Sequence, residues 1–559
     1  MRKQASIAAA VVAASALGLA ACSSSPSASS GSKSSSATTT LTLENSPSGP
    51  VSRDFNPFSP TGAGTILGSN TMIYEPLLQF DILKPGTIYP WLATSYAWSN
   101  GGKTITFHIR PGVKFTNGTP FTASDVAFVF NMIKKNPGIN SGGLSITGAT
   151  APNASTAVIS FSTPSYVLLY YIANTPMVPQ SVWSKVNPVT FPDTNPVGTG
   201  PYKLSSFSPQ AIILTRNPHY WQPGEPHIDK LDFPAYNSNT SANLALEQGT
   251  LDWGGNFVQD IKQAYIDKDP SVNHYWDAPV QTETLIPNLT EFPFNILAVR
   301  QAVSLGVNRQ VISAVGEDGQ QPPVQGPGSL TGLTLPNDAP YVTSATSGYT
   351  AAYNPAQAKA ILVKAGFKMG SNGFFVAPNG KELAFTIEDP SPYTDFITDD
   401  QIMASELKKI GIDVTVDGTS VQKWTTDLAD GTFQAIAHWG NSGPSPYYLY
   451  NNWLNSAIGA PIGKPANGDY ERFSSKQADT LLAQFASSNS PATQQSAIVG
   501  IEKIVATQLP VIPLFYGVAW DEYHTNKFTG WPTPSNQYAP GEPSPPFNEI
   551  TVLHLKPVS

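Results

Sequence analysis

An α/β fold divided into more than one domain is what this sequence predicts, and three observations carry the expectation. About five hundred of the 559 residues follow a serine-rich segment that ends at Thr40, more chain than one hydrophobic core supports. Two later stretches read as helix followed directly by strand, the material of an α/β lobe. Between residues 96 and 135 an alternating strand leads through a turn into an amphipathic helix.

The chain opens with Arg2 and Lys3, then an apolar, alanine-rich run from Ile7 to Ala21 that is too short to span a bilayer and reads as a signal peptide. Cys22, the only cysteine, follows Leu19, Ala20 and Ala21. With no second thiol it cannot close an internal disulfide, and a free exposed thiol outside the cell is an oxidation liability. The segment Leu19–Cys22 resembles the lipobox of bacterial lipoproteins, in which the cysteine is lipidated and begins the mature chain. That resemblance implies residues 1–21 as signal peptide and 22–40 as a lipidated tether. Ser23 to Thr40, "SSSPSASSGSKSSSATTT", has no apolar periodicity and as a coil would span roughly 23 Å.

Within residues 96–135, Ile105, Phe107 and Ile109 alternate as one face of a strand after an Asn-Gly-Gly turn, a hairpin signal. Thr122 with Asp125 forms a capping box for a helix burying Val126, Val129, Phe130 and Ile133. Gly198 to Tyr202, "GTGPY", suggests a backbone role in which the glycines supply positive φ. Asn354 caps a helix with Pro355 at its first position and Gly366 past its end. Gly411 likewise separates a helix ending at Ile410 from the strand "IDVTV". Asp399 and Asp400 read as helix-start carboxylates favoured by the dipole.

The stretch from 96 to 135 is similar to the signature region of the family 5 extracellular solute-binding proteins, the dipeptide and oligopeptide binding lipoproteins of ABC importers. Further segments agree in the same order: "NPVGTGPYKLSSF" (195–207), "IILTRNPHYWQPGEPHIDKLDF" (212–233), "VRQAVSLGVNRQVI" (299–312), "YNPAQAKAILVKAGF" (353–367), "SELKKIGIDVTV" (405–416) and "LPVIPLFYGVAW" (509–520). The resemblance implies the type II periplasmic-binding-protein architecture, two lobes with a third, inserted domain and the ligand cleft between lobes. Domain I would comprise 41–70, 190–278 and 527–559, domain II 71–189, and domain III 279–526. It also implies a monomer delivering a small oligomeric solute to ABC permease subunits and their ATPase, held on the outer side of the membrane by its lipid.

The richest candidate for ligand contact is "AIAHWGNSGPSPYYLYNNWLN", residues 435–455, read as a strand that opens into a loop. It carries Trp439, Asn441, Ser442, Tyr447, Tyr448, Tyr450, Asn452 and Trp453. Flat rings bury area at low entropic cost and amides both donate and accept, which suits sugars or peptide side chains. The resemblance adds that peptide-binding members carry an aspartate three residues after the tryptophan, pairing with the ligand's α-amino group. Ser442 stands there and cannot complement an ammonium. This departure favours a neutral oligosaccharide over an oligopeptide, unless Asp252 or Glu291 replaces the acid. Trp253 and Phe257 in "QGTLDWGGNF" and Asn288 complete the candidates.

Charged residues are only 13% of the chain, and loss of Arg2 and Lys3 takes the formal charge from −8 to about −10 (−8 minus +2), which argues against nucleic acid as partner. No Gly-x-Ser-x-Gly elbow or phosphate loop occurs, and the seven histidines are scattered, so neither an enzyme, a metal site nor a cofactor is expected. The alternative is a secreted glycan-hydrolysing lipoprotein, which needs two carboxylates facing each other across its cleft.

Overall fold

Alternation at Ile105, Phe107 and Ile109 buries one side of Thr104–Ile109, as a period of two requires. This strand pairs antiparallel with Ala93–Ser99 across the Asn100–Gly102 turn and with Thr156–Phe161, and Ile146–Asn153 completes a four-stranded sheet. Helix Ala123–Lys135 lies on it with Val126, Val129, Phe130 and Ile133 buried, and its capping box is formed by Thr122 and Asp125. The computed structural model describes residues 38–84, 86–333, 338, 340–440 and 443–558. The lipobox, Cys22 and all of the tether before residue 38 lie outside them.

A second four-stranded sheet runs Thr40–Thr42, Lys230–Pro234, Ala211–Arg216, Tyr202–Ser208. Its first pair is parallel and the others antiparallel. Gly198 and Gly200, just before it, are not at positive φ. Their role is close approach: a Cβ on Gly198 would lie 1.8 Å from the Ile73 carbonyl oxygen, and one on Gly200 would lie 2.4 Å from that of Met72. The expectation of special φ at these glycines is corrected to one of backbone contact.

The sheet that carries the candidate site has five strands: β1 (Ala278–Pro287), β2 (Ala384–Pro390), β3 (Asp413–Thr419), β4 (Ala435–Trp439) and β5 (Ile512–Ala519). Their order is β3-β2-β4-β1-β5. Strand β2 is parallel to β3 and β4, while β1 runs antiparallel to β4 and β5. One rim therefore gathers the ends of β2, β4 and β5 and the beginning of β1. On one face, Leu285, Phe385 and Leu514 pack with Val299, Val303, Leu362, Met403 and Leu407 in a buried core.

Both helix-to-strand units form. Asn354 accepts from the Gln357 N–H at 3.0 Å, Pro355 opens the helix Pro355–Lys364, and Gly366 follows at φ +90°. Helix α1 (Thr394–Lys409) is closed by Ile410, with Gly411 at φ +88° before β3. It begins earlier than the acidic pair suggested: Asp399 and Asp400 lie inside it, buried, while Asp395 occupies the first turn. The pair therefore faces the interior instead of stabilising a helix start.

Candidate functional site

Trp439 ends β4 at the rim, opposite Glu283 of β1. Its indole is partly buried, stacked on His438 with ring centroids 4.4 Å apart and tilted against Trp424 at 5.5 Å. Trp424 belongs to α2 (Val421–Asp430), and its Nε1–H donates to Asp389 Oδ1 at 3.0 Å. Both Asp389 oxygens also accept from the Ala437 N–H, at 3.2 and 3.0 Å. Burial holds the Asp389 carboxyl well above the usual range, and the neighbouring Asp400 carboxyl adds to it. Asp400 is itself pushed up to about 7 by burial. Burial drives His438 down to about 4, so the ring beneath Trp439 is neutral at neutral pH. Trp439 thus rests on a backing fixed by hydrogen bonds, with part of the residue left exposed.

The rest of the aromatic segment differs from the loop expected. Ser445 precedes a nine-residue helix, α3 (Pro446–Leu454), with Pro446 at its first position and every residue buried. A proline at a helix start is favourable because its missing N–H would be unpaired there anyway. Tyr447 donates to Asn451 Oδ1 at 3.2 Å and stacks on Phe485. Tyr448 donates to the Val167 carbonyl and meets the rings of Tyr170 and Tyr171 edge-on at 5.1 and 5.0 Å. Tyr450 donates to the Thr331 carbonyl at 2.9 Å. Asn452 is buried, and its carbonyl accepts from the Asp469 N–H. Trp453 lies against Gly332 and Gly440, where a Cβ would come within 2.5 and 3.3 Å of its ring. These side chains pack inside the protein, and only Trp439 of the set combines the rim position with partial exposure. Asn441 and Ser442 lie outside the described residues.

Trp253 is fully buried in the strand Trp253–Gly254, its Nε1–H shared between Asp521 Oδ1 and the Gly541 carbonyl, both at 2.9 Å. Phe257 meets Trp520 edge-on at 5.9 Å. Asn288 donates to the Gly431 and Phe433 carbonyls, each at 2.9 Å, and so clips a turn to the end of β1. Asp252 accepts from Lys527 Nζ at 2.6 Å and from the Thr42 N–H at 2.9 Å, which occupies it, while Glu291 is exposed.

The structure brings forward acids that patterning missed. Glu44 is fully buried, accepts from Asn256 Nδ2 at 3.3 Å and is pushed up to about 8 by burial. Glu522 accepts from the Asn256 N–H at 3.5 Å and also stands well above the usual range. Ser46 and Tyr393 share a hydrogen bond of 3.2 Å beside them. The available signal was a glutamate directly after the alternating Leu41 and Leu43 of a strand. Among the described residues no group of three or more histidines, cysteines or carboxylates could hold a metal ion. No helix among them is long and apolar enough to cross a membrane.

Residues 87–460 match the bacterial extracellular solute-binding proteins, family 5 (middle region). The chain belongs to that family. The family 5 protein is 29% identical over 391 residues to the nickel-binding periplasmic protein of Escherichia coli K12, covering 66% of this chain and 71% of that one. It is 25% identical over 529 residues to di/tripeptide-binding protein 1 of Pseudomonas aeruginosa, covering 85% and 88%. Among solved structures it is similar to a periplasmic oligopeptide-binding protein of an ABC transporter from Thermotoga maritima with bound mannohexaose. That likeness has a TM-score of 0.85 and 25% identity, over 93% of this chain and 99% of that one. The type II architecture read from the sequence is the architecture found, and the family 5 protein is an extracytoplasmic binding protein of an ABC importer, not an enzyme.

Proposed function

We propose that this protein captures a neutral oligosaccharide between two lobes and releases it unaltered to an ABC permease, while held at the outer membrane face by a lipid on Cys22. The observation that carries the sugar reading is Trp439, a mostly covered but partly exposed indole on a rigid backing at the rim of the site sheet. A ring so placed offers a flat face to a pyranose. The likeness to the mannohexaose-bound structure supports the same ligand class. Domains I, II and III keep the limits 41–70 with 190–278 and 527–559, 71–189, and 279–526. Closure follows from differential affinity, because a ligand that touches both lobes favours the form in which they meet.

A thermal-shift panel tests the ligand class. Mannohexaose at a hundredfold its dissociation constant adds about 2.7 kcal/mol to stability, and short neutral peptides are expected to add nothing. Trp439→Ala should keep the fold and lose the mannohexaose shift. Stabilisation by tripeptides alone would overturn the sugar reading. For the anchor, Cys22→Ala is expected to move the protein from the membrane to the soluble fraction, and a variant that still sediments with membranes refutes it.

A further inference from the structure

Glu283 faces Trp439 directly across the β1–β4 pair, so the two side chains leave the same face of the sheet. Facing Cβ atoms in such pairs stand about 4.5–5.5 Å apart. The residue is 6% exposed, and its Oε1 accepts from Gln281 Nε2 at 3.1 Å, while Oε2 is buried and has no hydrogen-bond partner among the described residues. A buried polar atom left unpaired is costly. The space for it is made by Gly517 of β5, where a Cβ would lie 2.6 Å from Gln281 Cγ and 2.9 Å from Glu283 Oε1. A glycine thus clears the floor for two polar side chains beside the aromatic platform.

We propose that Glu283, held by Gln281 beside Trp439, is the specificity-determining residue of the cleft, its carboxyl exchanging hydrogen bonds with hydroxyls of a sugar ring stacked on the indole. This rests on the oligosaccharide reading and names the group that enforces it. The charged groups that face Glu283 are Glu317, after the helix Arg309–Val315, and Asp395, in the first turn of α1; Asp399 stands behind, against Glu317. All are acids. Burial, then the charges of Glu317 and Asp395, hold the Glu283 carboxyl well above the usual range. Both influences favour the un-ionised carboxyl, which has one O–H to donate and lone pairs to accept, the inventory of a sugar hydroxyl. Ionisation at higher pH removes the donor.

Calorimetric titration of mannohexaose into the wild type, W439A, E283Q and E283L tests this, with melting curves to verify folding. Leucine is of similar volume but can neither accept from Gln281 nor exchange a hydrogen bond with a sugar hydroxyl. E283Q, which donates and accepts, should bind within about threefold of wild type, and E283L should bind at least about tenfold more weakly. If W439A loses binding and E283L keeps it, the role of Glu283 is overturned and the site stands. If E283Q binds as poorly as E283L, the carboxyl's charge is what the site uses, and the neutral-ligand role is overturned. If the wild type does not bind mannohexaose, the sugar reading fails and Glu283's role with it.

Discussion

At the scale of single residues, the backing of Trp439 depends on two buried acids whose surroundings favour the protonated form. Asp389 and Asp400 face each other beneath Trp424, and two carboxyls that close cannot both ionise cheaply. Asp389 anchors Trp424 and the Ala437 N–H, so the pair fixes the backing of Trp439. Burial raises Asp400 from the ordinary aspartate value to about 7 in the fold. Between those two values the folded state binds more protons than the unfolded chain, so the stabilisation is full below about pH 4 and is lost as pH rises through about 7. Asp400→Asn removes the ionisation and supplies an N–H to Asp389. The wild-type melting temperature should fall between pH 5 and pH 8 by several degrees more than that of Asp400→Asn. Equal falls in both proteins would show that this pair does not carry a shared proton. Sequence alone did not reveal it, because Asp389 and Asp400 are joined by a crossing of strand and helix, and adjacent acids read most simply as a helix start.

At the scale of elements, most of the scaffold was legible because its signals are local. The Thr122–Asp125 capping box, the Asn354–Pro355 start and the left-handed Gly366 and Gly411 each act within a turn or two of chain, and each forms where expected. Helix α3 was missed because glycine, proline and serine at residues 443–446 punctuate a loop and start a helix with the same letters. Its nine residues carry rings on every side, so no amphipathic stripe separated core from surface. Tyr447, Tyr448, Tyr450 and Trp453 were consequently read as a display of aromatics, whereas their hydroxyls and ring faces meet Asn451, Val167, Thr331 and Gly332. Gly198 and Gly200 show the same limit. Their need for absent side chains comes from Met72 and Ile73, more than a hundred residues away, and no local rule contains that distance.

At the scale of the whole molecule, the parts proposed as separate domains meet at several places. Tyr448 reaches Val167, Tyr170 and Tyr171, while Asn239 donates from its backbone to the Pro392 carbonyl at 3.1 Å and from Nδ2 to Asp395 Oδ1 at 3.1 Å. Ser46 adds its hydrogen bond to Tyr393. The strand Glu522–His524 also pairs with Trp253–Gly254 and Asn273–Tyr275, and Trp253 donates to Asp521, so the proposed domains I and III share a sheet and closure would pivot about that join rather than break it. A ligand that bridges the domains must favour closure: moving a population from mostly open to mostly shut needs a preference of about 5.5 kcal/mol for the shut form. Small-angle scattering should therefore give a larger radius of gyration without ligand than with saturating mannohexaose, the saturated value nearing the roughly 24 Å of a compact chain of this length. A Trp439→Ala protein should keep the larger radius at the same sugar concentration, because it lacks the ring that makes closure favourable. Identical scattering curves with and without bound sugar would mean that these contacts are permanent, and that the ligand enters a clamp that does not move.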